Sequence, residues 1–295
     1  MSKRRKGPRP TAGTEQKRTR PQDTYIPRPF EGLADEGEWI ALRELVPAAT
    51  TPVRLSPELS EQYGDRPVTF ATVLPLAAPA LARADGRVLV AVQRHADSGD
   101  PARDLAAALL CALDTPGGKP VEVPALPGPG PRLHDVLADG PLDVTVHPGF
   151  SFWLDGDATD DPDVKASMER ADAHAFPTVR LAAARSAYWC RVGGQAHVRW
   201  VLADDEDEVL EALARISAAG ALPLGEGTRF AGMLRAYGRL MPVWDLPSEA
   251  EAGEWEAPLA ALAERYAQAR AQTEPLSPAE RRARQGLLGR QKTLR

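Results

Sequence analysis

The sequence predicts an α+β protein made of two diverged α-β-β-β-α units, each with an antiparallel sheet, between a disordered basic N-terminal tail and a basic C-terminal helix. Three observations carry this reading. Short apolar runs come in pairs around turn dipeptides, Asp85-Gly86 in the first half and Gly193-Gly194 in the second. Helical periodicity brackets each set of runs. The same order of elements is met twice, each time followed by a related segment, "GPRLHDVLADGPL" (130–142) and "GTRFAGMLRAYGRL" (227–240), as a diverged duplication would give. The expected divisions are 1–24 for the tail, 25–154 and 155–275 for the two units, and 276–295 for the final helix.

Residues 1–24 hold almost no large apolar side chain and cannot bury enough surface to offset chain entropy, so a disordered tail is expected. Order begins near Tyr25 and Phe30. In "LADEGEWIALRELVP" Trp39, Ile40, Arg43 and Val46 fall at near-helical spacing, and Pro47 ends the helix. "VTFATVLPL" (68–76), "PALAR" (79–83) and "RVLVAVQ" (87–93) read as strands, the last two joined by the Asp-Gly turn. A helix from Pro101 puts Leu105, Leu109, Leu110 and Leu113 on its apolar side and breaks at "PGGKP"; "PALPGPGP" (124–131) is a connector.

The second set opens with a helix entered through Asp161 and Pro162. "FPTVRL", "SAYWCRV" and "QAHVRWVL" follow as strands, and in the last Ala196, Val198, Trp200 and Leu202 alternate with Gln195, His197 and Arg199. A helix from Asp205 to about Ala219 carries Val209, Leu210, Leu213 and Ile216 on one face and stops at Gly220. Ser277-Pro278-Ala279-Glu280 has the spacing of a capping box and starts the basic C-terminal helix.

The net charge of −5 is unevenly spread: residues 1–22 carry +7 and residues 280–295 carry +5, which leaves −17 on the body between them. Such ends can bind a polyanion or fold back on the body. Thirty arginines against six lysines in an Ala-, Gly- and Pro-rich chain also reflect a GC-rich genome, so arginine abundance alone says little about phosphate recognition. No apolar run nears the roughly 18–20 residues of a membrane span, the longest being Leu105 to Leu113. No apolar segment follows the basic N-terminus, as a secretory signal would require. Cys111 and Cys190 sit in apolar elements without paired spacing, as small core residues of a reducing compartment, and a cytoplasmic protein is expected.

The densest cluster of reactive side-chain types is "QRHADSGDPARDL" (93–105), with His95, Ser98 and Asp100. A Ser-His-Asp machine needs its serine on a strained, exposed turn with partners brought from elsewhere, and "GFSFW" (149–153) lacks the second half of the matching elbow. Asp100 before Pro101 has instead the position of a helix cap. The matching junction in the second unit, "LADDEDEVLEAL", keeps the acids without the serine or the histidine. Consecutive acids such as Asp204 to Glu208 do not converge on one ion. "DGDATDDPD" (155–163) departs from a calcium loop at Asp160, where the turn needs glycine, and at Ala166. The histidines show no paired ligand spacing, and neither a P-loop nor a dinucleotide fingerprint occurs. No catalytic residue, metal ligand or cofactor is therefore assigned.

Two binding surfaces remain. Tyr188, Trp189 and Trp200 beside His197 and Arg199 put aromatics next to a cation on a sheet, and Trp189, His197 and Arg199 are the candidates for gripping a base or a peptide. The basic ends supply Lys3, Arg4, Arg5 and Lys6, then Arg281, Arg282, Arg284, Arg290 and Lys292, as candidates for contact with RNA or an acidic protein surface.

In "FEGLADEGEWIALRELVPAAT", "SGDPARDLAAAL", "AYWCRVGGQAHVRWVL", "MPVWDLP" and "ERRARQGLLGRQKTLR" the chain resembles an actinobacterial family, the domain-of-unknown-function family numbered 5926, over roughly residues 29–295. The resemblance implies no activity and no site residue. Some relatives carry an N-terminal cysteine-rich zinc motif of the type found at the end of the translocase ATPase; residues 1–28 contain no cysteine here, so that site does not carry over. The expected function is a non-enzymatic adaptor or chaperone-like binding protein whose basic ends contact an anionic partner such as RNA. The alternative is an enzyme or small-ligand sensor with a pocket between the two units.

Overall fold

A computed structural model describes residues 25–94, 98–124, 126–154 and 161–293. The expectations for the tail, with Lys3, Arg4, Arg5 and Lys6, for His95, and for most of the calcium-like segment lie outside the described residues. In the first half α1 (Glu36–Glu44) is followed by β1 (Ala49–Val53), α2 (Pro57–Tyr63), β2 (Val68–Ala71), β3 (Ala80–Ala82), β4 (Val88–Ala91), α3 (Pro101–Asp114), α4 (Leu133–Val136) and β5 (Thr145–Val146). In the second come α5 (Pro162–Asp172), β6 (Thr178–Arg180), β7 (Ala187–Val192), β8 (Gln195–Trp200), α6 (Glu206–Ala218), β9 (Arg229–Ala236), β10 (Arg239–Asp245), α7 (Glu256–Arg270), α8 (Pro278–Leu288) and β11 (Gln291–Thr293). The strands form a five-stranded sheet of order β3-β4-β2-β1-β5 and a six-stranded sheet of order β11-β9-β10-β8-β7-β6.

The α+β class holds, and both sheets are mixed where antiparallel ones were expected. The chain leaving β2 skips a position and builds the edge strand β3 first. The Asp85-Gly86 hairpin then brings β4 back beside β2, which makes that pair parallel. β11 reaches β9 from a helix, with no two-residue turn to impose an antiparallel direction, and also pairs in parallel. Connection order differs between the sheets as well, since β6, β7 and β8 are simple antiparallel neighbours.

The two segments of similar sequence also diverge in structure. Residues 133–136 are helical, and Leu137 makes one bridge to Leu55. The second segment is the β9–β10 hairpin, turned by Tyr237 (φ +49°) and Gly238 (φ +73°), a left-handed pair suited to a two-residue turn. Its counterpart Asp139-Gly140 adopts no positive φ, so no hairpin forms there. The likeness between the two halves stops short of topology.

α1 is buried from Glu36 to Leu42 because it lies between the two sheets. Trp39 meets Phe70 of β2 edge-on at 5.0 Å. The same core takes in Tyr188, Val201, Ala236 and Met241 from the second half. A separate core fills the other face of the second sheet, where Val209, Leu210, Leu213 and Ile216 of α6 pack with Leu259 and Leu262 of α7. Each such side chain contributes roughly 1.5–3 kcal/mol on burial. The second sheet thus has a helix-covered face and a face that is half covered by α1 and its surroundings. The open half of that second face is where several polar side chains gather.

Candidate functional site

The start of α3 is structural. Asp100 accepts from the Arg103 backbone N–H at 3.4 Å and from the Arg132 guanidinium, 3.0 Å at its closest. Ser98 is 2% exposed; its backbone N–H donates to Asp104 Oδ2 (2.8 Å), and its hydroxyl accepts from Arg103 (2.9 Å). A hydroxyl engaged in this way and buried has no approach to a substrate.

The five consecutive acids at the start of α6 fan out over several partners, as helical geometry dictates, and only Asp204 and Glu208, one turn apart, share one. Asp204 takes Tyr266 and Arg270, Asp205 takes Arg239 and Arg28, Glu206 takes Arg235 and Gln291, Asp207 takes Arg284, and Glu208 takes Arg270. The acid run therefore fastens helices, strands and the N-terminal approach to one another. The start of α1 does the same in the interior. Glu38, fully buried, accepts from the Tyr188 hydroxyl, from Arg180 at 2.8 Å and from the Ser186 N–H at 3.3 Å. Burial and the Glu38 carboxylate push the Tyr188 phenol well up, so it stays a donor. Glu36 holds Arg28 at 2.8 Å and Arg239 at 3.0 Å. A cleft of about 720 Å³ opens beside this network, and most of its lining charges, Arg28, Asp35, Glu36, Arg185, Asp204 and Arg239, are already paired with one another or with their neighbours, with Asp139 beside them at the rim.

On the second sheet the three expected surface residues separate. Trp189 stands opposite Val198, shares the helix-covered face and is 2% exposed, with Arg191 stacked 5.0 Å from its ring. His197 and Arg199 project from the other face. There Cys190, His197 and Asp245 are direct cross-strand neighbours on β7, β8 and β10, with His197 Nδ1 3.1 Å from Asp245 Oδ1. These are the residue types of a thiol hydrolase, but Cys190 is 1% exposed and burial pushes its thiol up, the reverse of what activates a nucleophile. Burial, helped by Arg199, holds His197 below its usual range in spite of Asp245.

The C-terminal segment docks on the acidic body. The capping box of Ser277 and Glu280 forms, Leu287 is buried, and Arg284 reaches Asp207 at 2.8 Å. Arg281 and Arg282 stay exposed on α8, on the helix-covered side. Beyond α8 the chain turns onto the sheet edge, where Met233 N–H donates to the Arg290 carbonyl at 3.1 Å. A Cβ at Gly232 would stand 2.4 Å from that oxygen, so only glycine admits the strand. Lys292 is level with Leu234, on the face away from α6, whereas Gln291 reaches Glu206 on the α6 side. The Cβ of Arg290 lies next to the Gly232 position on the same face as Lys292. Arg229, opposite Asp245 and paired with it, completes the set. Arg199, Arg229, Arg290 and Lys292 therefore share one sheet face, to which these strands contribute the single carboxylate Asp245 on the open half.

Phe176 links this face to a second feature. Its ring lies 5.9 Å from the Arg199 guanidinium and also lines a cavity of about 500 Å³ at the seam between the halves. Leu45, Val46, Pro47, Val73, Phe150, Trp153 and Ala171 supply the rest of the apolar wall, with Phe150 and Trp153 stacked at 4.5 Å. Arg43, Glu44, Gln93 and His174 form its polar rim. The sequence holds a faint signal for this cavity in the aromatic density of "GFSFW"; its neighbourhood with Phe176 and Arg199 is a product of the fold.

Among the described residues no three His, Cys, Asp or Glu side chains are grouped to hold a metal ion, and no helix is long and apolar enough to cross a membrane. No curated protein and no solved structure matches the chain. One family model does, that of the Family of unknown function (DUF5926), over residues 29–295, and the chain belongs to this family.

Proposed function

We propose that the protein is a non-enzymatic binding module, an adaptor or chaperone-like protein that engages RNA through the cationic half-face of its second sheet. The observation that carries this reading is the convergence of Arg199, Arg229, Arg290 and Lys292 on one face. β8 and β11 are separated by three strand spacings, about 14 Å at ~4.8 Å each, which matches roughly four nucleotides of a strand rising ~3.4 Å per nucleotide. The tail with Lys3, Arg4, Arg5 and Lys6 extends the electrostatic reach, and Arg281 and Arg282 on α8 play a lesser part because they project from the other side of the sheet. The paired charges along α1 favour a fixed scaffold over a catalytic cleft, since a reacting site needs polar groups left available for substrate.

Fluorescence anisotropy with a labelled single-stranded RNA of about 15 nucleotides, between about 50 and 200 mM salt, tests the reading. Binding should weaken steeply with salt. Replacing Arg199, Arg229, Arg290 and Lys292 together by alanine should cut affinity more than about tenfold and flatten the salt slope by ~0.7 for each phosphate no longer neutralised. Equal binding by the quadruple variant, or no binding by the intact chain, overturns it.

A further inference from the structure

We infer that the RNA is bound single-stranded, with one of its bases inserted in the aromatic cavity beside the cationic face. This rests on the reading above and adds where the base goes. A phosphate held by Arg199 would lie directly beside Phe176, because the guanidinium sits over that ring. Phe176 also lines the cavity walled by Phe150 and Trp153. Its volume of about 500 Å³ falls within the roughly 300–1,000 Å³ of small-ligand sites, and stacked aromatic walls suit a flat heteroaromatic group.

The wall is anchored, so the cavity does not need to form on binding. Trp153 Nε1 donates to the Val73 carbonyl at 2.8 Å, and Phe150 N–H donates to Asp172 Oδ1 at 2.7 Å. The rim supplies acceptors for a base edge. Gln93 spends its amide N–H groups on the Leu42 and Val46 carbonyls at the end of α1, which leaves its amide oxygen for a ligand, and Glu44, whose Oε1 accepts from the Tyr237 hydroxyl at 2.8 Å, adds its other carboxylate oxygen. A paired base cannot enter such a cavity, because its edge is occupied and its faces are stacked, whereas an unpaired base can be splayed out onto aromatic side chains.

The experiment compares binding of the full chain to a single-stranded RNA of about 15 nucleotides, the same strand in duplex, an abasic strand of equal charge, and inorganic polyphosphate. The single strand should bind about five- to a hundredfold more tightly than the abasic strand, and Phe176→Leu should remove most of that difference, lowering single-strand affinity by a larger factor than polyphosphate affinity. The abasic comparison uses the intact protein, so it stands even if the variant fails to fold. If all four probes bind alike, the base-insertion inference falls and the cationic-face reading survives. If polyphosphate binds and the single strand does not, or if none binds, both fall.

Discussion

The first turns of α1 and α6 carry the same acidic signature and do different work. α1 begins with Glu36 and Glu38, α6 with Glu206, Asp207 and Glu208 behind Asp205. Either set favours the positive end of a helix dipole, worth about 0.3–1 kcal/mol at an exposed site. Around α1 the carboxylates are buried between two sheets, and Glu38 is the shared acceptor of groups from three positions on the second half. Around α6 the acids stay largely in water, with Asp207 85% exposed while paired to Arg284. Burial converts a common capping preference into an obligatory joint, because the buried Tyr188 hydroxyl and Ser186 N–H would be left unsatisfied without it.

That contrast is broken most directly at Glu38. Glu38→Ala should cost about 3–5 kcal/mol in urea unfolding, as expected when one partner of a buried ion pair is removed. Glu38→Gln, which keeps an acceptor oxygen, should recover part of the loss; a cost under about 1 kcal/mol for the alanine variant would mean the joint is not obligatory. Close approach at the same joint gives the next effect. A Cβ at Gly37 would stand 2.8 Å from Ser186 Oγ, so Gly37→Ala should destabilise by about 1–3 kcal/mol. Ser186 itself adopts φ +59°, and Ser186→Gly in the double variant should restore most of the stability by removing both the clash and the strain.

Asp100, an intermediate case, is buried, caps α3 and holds Arg132; Asp100→Ala should cost about 1–2 kcal/mol. Asp207→Ala should change stability by under about 1 kcal/mol, an effect that vanishes in high salt, and a larger, salt-insensitive loss would place α6 in the same class as α1. The smallest effect concerns α8. The Ser277 backbone N–H holds the exposed Glu280 carboxyl below its usual range. Its contribution to stability is therefore present above the ordinary carboxylate value and is lost as pH falls through the lowered one. A carbon-detected titration should place the Glu280 midpoint below the ordinary carboxylate value, and Ser277→Ala, which keeps the backbone N–H and removes only the hydroxyl, should move it back only part of the way.

The elements with strong local signals are legible in the chain. Asp-Gly at 85–86 and Gly-Gly at 193–194 turn hairpins, Pro101 and Pro162 open helices, and the Ser277 box starts α8. α7 is less visible because its buried stripe of Leu259, Leu262, Tyr266 and Ala269 is thin among alanines and charges. The β9–β10 hairpin is disguised by Tyr237 in a left-handed position that bulky residues seldom occupy. For the candidate site, alternation along β8 already separates His197 and Arg199 from the apolar side, but Trp189 lies on the adjacent strand, where its face depends on register.

The sequence by itself determined the α+β class, most helix starts and hairpin turns, and the basic character of the C-terminal segment, because capping, turn chemistry and periodicity act over a few residues. Only the tertiary structure decided the parallel pairs, the burial of Glu38 between the sheets, and the meeting of Arg199, Arg229, Arg290 and Lys292 on one face. Those outcomes depend on strand register and on residues far apart in the chain, and a one-residue shift of β8, β9 or β11 would send the cations of that strand to the opposite side.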